Sequence, residues 1–415
     1  MAKVLCQSSG AISLAASATR WLNTGFSSTL VDTGTESRRA HTQRTAGVLS
    51  NLYINVLTNN RGASTFRTRK GTNNANLVVS ITASGTGKFE DTTNTDAVTA
   101  GDNWHGQIVT GAGGTVFTVR TTAVLFAATT NTGIVRGGND VTFNTASATT
   151  PVNIWGNEQP AVGGVDSDVG TTYRIAGTLK NMLINVRTNA RTTTTTLVSR
   201  VNSLTANLTI SISAAATGIL EDTSNSDIIS IDDLVNFAFV SGTGTENLVY
   251  DAVFADFGTT TNKQMYVASS GVAITQAAGV TTYYFFSGRL LANTTETNQL
   301  VEANLAFTAS NLQCNITDNS IVIDSTLKLI KNSSAGNAVV TITALTTGVF
   351  QDTVNTDSIV ATDTLDYEIV TPSTLTSISI RSISMLGDSS LSRNINTFER
   401  KTFRGVLRGV GRGSI

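Results

Sequence analysis

At 415 residues the chain has room for two to four domains of ordinary size. Charged residues are 14% of it and the formal net charge is −1, so no bulk electrostatic attraction draws it to nucleic acid or to an anionic membrane. No apolar run approaches the ~20 residues that cross a bilayer, and the two cysteines, Cys6 and Cys314, occupy unrelated contexts that exclude a disulfide framework or a zinc site.

The first stretch, "MAKVLCQSSGAISLAASATRW", has one early lysine and a broken apolar run. It makes a poor secretory signal. The expectation is a chain made in the cytoplasm and not exported by that route, with residues 1–20 as an N-terminal arm.

Beyond it the chain repeats itself. "NLYINV" begins at Asn51, "NMLINV" at Asn181 and "NLQCNI" at Asn311, at steps of 130 residues. Leu52, Met182 and Leu312 form one apolar column, Ile54, Ile184 and Cys314 a second, and Val56, Val186 and Ile316 a third, while Asn55, Asn185 and Asn315 point the other way. Period two with one apolar face is a half-buried strand, and Cys314 sits in it as a small hydrophobe. A second strand repeats as "NLVVSIT", "NLTISIS" and "NAVVTIT", with Leu77, Leu208 and Ala338 leading its inward columns. No long segment carries a helical apolar stripe, and turn signals such as "TNNRG", "GAGG" and "GTGT" separate short runs. The pattern predicts an all-β chain of three tandem antiparallel β-sandwich domains, jelly rolls in preference to immunoglobulin-type sandwiches, whose Cys and Trp markers are missing. The boundaries are read as 21–131, 132–272 and 273–392, with a basic C-terminal arm at 393–415.

Each repeat contains an acidic segment: "GKFEDTTNTDAVTAGD" from Gly87, "GILEDTSNSDIISIDD" from Gly218 and "GVFQDTVNTDSIVATD" from Gly348. Asp91, Asn94 and Asp96 recur as Asp222, Asn225 and Asp227, then as Asp352, Asn355 and Asp357. Their oxygens, with Asp102 beside the first set, suit calcium chemically. The same residues ordinarily bond to backbone N–H groups and fix a turn between strands, and that is the favoured reading. No other cofactor is expected. Catalysis has little to start from: Glu90 has Gln351 as its counterpart, and His41 and His105 have Thr171 and Asn236. A general base is missing from later copies, no phosphate loop or nucleophile elbow occurs, and the chain reads as a non-enzyme.

The final stretch, "ERKTFRGVLRGVGRGSI", sets Arg400, Lys401, Arg404, Arg408 and Arg412 against Glu399, with Phe403, Val406, Leu407 and Val410 interleaved. This suits an assembly arm that orders on a neighbouring subunit, and it is the one place where nucleic-acid phosphates would find cations.

The run "RTAGVLSNLYINV" with "RTRKGTNNANLVVSITASGTGKFEDTTNTDAVTAGD" resembles the β-sandwich modules of tail, fibre and head-decoration proteins of tailed bacteriophages, and related modules of bacterial surface filaments. The third repeat departs from it at Phe307, which stands where the others have Gly47 and Gly177, so its sheet edge is expected to differ in shape. The resemblance implies a virion-associated structural protein that assembles with copies of itself and with other virion proteins. A receptor- or glycan-binding adhesin, with Trp21 and Trp155 stacking on host-surface sugars, or a subunit of an extracellular filament, is the alternative. The packing arrangement of the three repeats, around a pseudo-threefold axis or in a row, stays open at this level.

Overall fold

A computed structural model describes residues 3–22, 36, 41–130, 132–137, 141–155, 165–372 and 376–389. In the first repeat the strands are β1 (Lys3–Ser13), β2 (Thr19–Leu22), β3 (His41–Thr42), β4 (Gly47–Asn59), β5 (Ser64–Lys70), β6 (Asn73–Ile81), β7 (Gly87–Val98), β8 (Asn103–Val109) and β9 (Phe117–Ala128). They form two facing sheets, ordered β1-β9-β4-β7 and β2-β8-β5-β6, with β3 added on β8. All of these pairings are antiparallel. This is the strand order of a jelly roll.

The order recurs twice, giving six sheets in three like pairs, here called units 1, 2 and 3. The counterparts of β4 are Gly177–Asn189 and Phe307–Asn319, and those of β7 are Gly218–Ile229 and Gly348–Ile359. The apolar columns read from the sequence are the cores: Leu52, Met182 and Leu312 are all buried, as are Ile54, Ile184 and Cys314. Burial also pushes the Cys314 thiol well above its usual range.

Three expectations need correction. Residues 1–20 are not a projecting arm: β1 pairs along β9 from Lys3↔Ala127 to Ser13↔Thr118 as a sheet edge. Its Ser- and Gly-rich composition hides an ordinary strand whose partner lies far away in sequence. The boundary expected at 272/273 falls inside one strand, Lys263–Ala277, which pairs with Ser377–Asp388 and so belongs wholly to unit 3. The sheet edge at Phe307 also keeps its shape, since Phe307 faces Ile359 just as Gly47 faces Val98 and Gly177 faces Ile229.

The reason is a reciprocal exchange. A Cβ on Gly47 would lie 2.4 Å from the Phe126 ring, and one on Gly177 would lie 2.5 Å from Phe257. In unit 3 the ring moves to the other strand. Phe307 is the aromatic, and Gly387, opposite Ala309 where Phe126 is opposite Leu49, is the glycine. Phe307 packs on Tyr266 with ring centroids 5.1 Å apart.

The units contact one another in a closed cycle. From unit 1 to unit 2, Thr45 Oγ1 donates to Asp256 Oδ2 at 2.8 Å and Arg44 pairs with Glu221. Between units 2 and 3, Gln313 Nε2 donates to Thr172 O at 2.8 Å and Asn315 Nδ2 to Ser167 O at 3.2 Å. Between units 3 and 1, Asn304 Nδ2 donates to Asn51 O at 3.4 Å, and Lys88 pairs with Glu302. Each time, the segment before the β4 equivalent of one unit lies on the outer face of the sheet that holds the β4 equivalent of the next. That face is consequently buried as well, at Tyr53, Leu183 and Gln313, where the sequence predicts a solvated side. Tyr53, Ala123 and Leu125 of unit 1 share a hydrophobic core with unit 3, and Met265, Val267 and Leu386 of unit 3 join the core of units 1 and 2. The open choice between a row and a pseudo-threefold arrangement resolves to the cycle.

Candidate functional site

The acidic segment is not a loop between strands. Residues 87–98 are strand throughout, and the turn is a bulge within it. Register slips between Ser50↔Thr95 and Leu52↔Asp91, so Thr92 to Asn94 loop out opposite Asn51. Asn51 takes φ +50° there, and Asn181 and Asn311 take +55° and +53° at the same place, a left-handed conformation that Asn tolerates better than most residues.

Asp91 organises the bulge. Its Oδ1 accepts the N–H groups of Thr93 and Asn94, both at 3.0 Å, and its Oδ2 accepts Asn94 Nδ2 and the N–H of Val78, both at 2.9 Å. Asp96 accepts the N–H groups of Asn76 at 2.6 Å and Leu77 at 3.1 Å, and the Thr68 hydroxyl at 2.6 Å. Val78, Asn76 and Leu77 lie on β6, the edge of the opposite sheet. The two carboxylates therefore stitch one open edge to the other and satisfy backbone donors that would otherwise form a template for foreign strands. Asp222 with Asn225 and Asp352 with Asn355 repeat the arrangement on Thr209 and Val339, each at 2.9 Å. Asp227 and Asp357 repeat that of Asp96 on Asn207 at 2.6 Å and Asn337 at 2.7 Å. Asp102 accepts the N–H of Thr99 at 2.7 Å and pairs with Lys70.

Burial alone would raise the pKa of Asp91, Asp222 and Asp352, but the converging N–H donors outweigh it and hold all three below the ordinary carboxylate range. Those donors point their hydrogens at both oxygens, where a calcium ion would have to sit. Among the described residues, no group of three or more His, Cys, Asp or Glu side chains is arranged to hold a metal ion.

A second cluster, absent from the sequence reading, lies on the outer face of the sheet that holds β5 and β8. In unit 1, Glu36 Oε1 accepts Arg69 Nε at 2.8 Å and lies 2.9 Å from His105 Nε2. The Trp21 ring meets His105 edge-on with centroids 5.5 Å apart, beneath the Arg69 guanidinium. Burial pushes His105 down to about 4, with Glu36 opposing and Arg69 assisting, so its imidazole is neutral at pH 7. Unit 2 holds Asp166, Arg200 and Asn236 in the same relation, with Arg200 Nε 2.5 Å and Asn236 Nδ2 2.9 Å from Asp166 Oδ1. Glu36, Asp166 and Glu296 are 130 residues apart. That step alone would have pointed to them, had the segments around them not differed so much.

The two tryptophans proposed for sugar contact part company. Trp155 is 4% exposed, inside the core, and its backbone is tied to Asn153 and Ser269; no sugar reaches it, and that assignment is withdrawn. Trp21 is half-buried. The assembly-arm residues Arg400 to Arg412 lie outside the described residues.

No family model matches the sequence, and a comparison with curated proteins finds no match. Among solved structures, a similar chain is the insecticidal delta-endotoxin Cry8Ea1 from Bacillus thuringiensis, at 10% identity and a TM-score of 0.21. The alignment covers 92% of this chain and 60% of the toxin. A likeness of that size carries no argument about fold or function.

Proposed function

We propose that the chain is a non-enzymatic structural subunit that assembles with copies of itself, as a tail, fibre or head-decoration component of a bacteriophage particle. The closed cycle of contacts among the units is the observation that carries this reading. It uses three inward faces to build one block and leaves outward strands to meet neighbouring subunits. A block with near-threefold character fits local threefold positions in a closed shell or a trimeric stalk. The resemblance of its strand motifs to phage modules points the same way.

Negative-stain electron microscopy of the concentrated protein tests the proposal. Rings, sheets or filaments are the expected result, and a chain lacking 393–415 should lose them. Particles that remain single at every concentration would overturn it. If glycan-array binding were found and then lost in Trp21→Ala, the adhesin reading would replace it.

A further inference from the structure

Unit 3 builds the outer-face cluster with one member missing. In unit 1, Arg69 on β5 sits directly across from His105 on β8. Arg200 stands across from Asn236 in unit 2, and in unit 3 the same register pairs Ile330 with Asp366. The acidic residue above the pair is retained as Glu296. So a cation is lost where a carboxylate is gained. Asp366 is fully buried, and neither of its oxygens has a hydrogen-bond partner; Glu296 Oε1 is likewise buried and unpartnered. Glu368 adds a third carboxylate nearby, answered by Lys328 at 3.6 Å. Lys331 turns away to Ser358 O.

A buried carboxylate with no partner costs heavily in a folded chain unless something neutralises it. Burial, with Glu296 and Glu368 beside it, pushes the Asp366 carboxyl up to about 8. In units 1 and 2 a covalently attached guanidinium does the neutralising, with N–H groups matched to the acid above it. Ile330 removes that side chain and leaves an apolar wall in its place.

We propose that Asp366 and Glu296 of unit 3 form a binding site for a guanidinium group from outside the sheet, which takes the position of the Arg69 and Arg200 head groups. The donor is an arginine side chain, either from the stretch Arg400, Arg404, Arg408 and Arg412 of this chain or a copy, or from another protein. The site does not depend on the assembly role proposed above.

Isothermal titration of the full-length protein with ethylguanidinium at pH 7, in two buffers of different ionisation enthalpy, tests it. Saturable binding with release of a proton from Asp366 is expected. Ethylammonium should bind at least tenfold more weakly, since a point charge lacks the planar fork. Binding should vanish in Ile330→Arg, which refills the position from within, and in Asp366→Asn, which keeps the shape without the charge. A full-length variant with Arg400, Arg404, Arg408 and Arg412 all changed to Gln separates the sources. Tighter ethylguanidinium binding there identifies the chain's own arginines as the occupant, and unchanged binding identifies a partner's. Absence of saturable binding to the four-Gln variant, or binding that persists in Asp366→Asn, overturns the proposal.

Discussion

The carboxylate seams are the residues on which each sandwich edge depends. Replacing Asp91, Asp222 or Asp352 with Ala leaves a part-buried N–H on the facing strand without its acceptor, and each change should cost about 1–2 kcal/mol in urea denaturation. The pH behaviour has two windows. These carboxyls titrate lower folded than unfolded, so their contribution is present above about pH 4 and lost as pH falls through their folded values. His105 titrates near 4 folded against 6.5 unfolded, so the unfolded chain binds more protons between those values and stability falls as pH drops from 6.5 to 4. The loss is at most about 3 kcal/mol. It should shrink in His105→Asn, which copies Asn236, when urea midpoints are compared at pH 7 and 4.5. The Asp, Asn and Thr composition made the bonding to backbone N–H groups legible, but the turn expected between two strands is a bulge within one. What the sequence hid was the partner, because the donors lie on a strand of the other sheet, 13 to 20 residues earlier.

At the scale of the strand, the exchange between Phe307 and Gly387 makes a sharp test. Phe307→Gly empties the space beside Tyr266 and should cost about 3–5 kcal/mol. Gly387→Phe alone overfills it, by about 1–3 kcal/mol. The double variant removes the Phe307 ring but leaves Tyr266, 2.4 Å from a Cβ at 387, so it should recover only part of the loss, a coupling that a double-mutant cycle reads directly. Alternation of apolar and polar residues gave away the inner strands at once. The first strand of each unit was less visible, since β1 carries serine and glycine where Leu or Val would mark it, and Lys263–Ala277 runs straight through the boundary that its composition suggested. The outer faces at Tyr53 and Leu183 also misled, because a face covered by a neighbouring unit leaves no local period to read.

Across the whole molecule, cores that run between units predict that they unfold together. All three tryptophans, Trp21, Trp104 and Trp155, lie in units 1 and 2, and Trp155 touches unit 3 through Ser269, so their fluorescence reports chiefly on units 1 and 2, whereas far-ultraviolet circular dichroism sees every strand. The two urea transitions should coincide. Separated midpoints would mean that the cycle of contacts is too weak to couple the units. Tyr53→Ala, at the seam between units 1 and 3, should lower both midpoints together rather than split them.

A trimer of separate chains repeats every side chain three times, so no corner can change without the others. Joining the corners in one polypeptide lifts that constraint. Arginine can remain at two of them while the third trades it for isoleucine, and a ring that is nearly uniform in shape becomes directional in chemistry. One side of the block can then be told chemically from the other two.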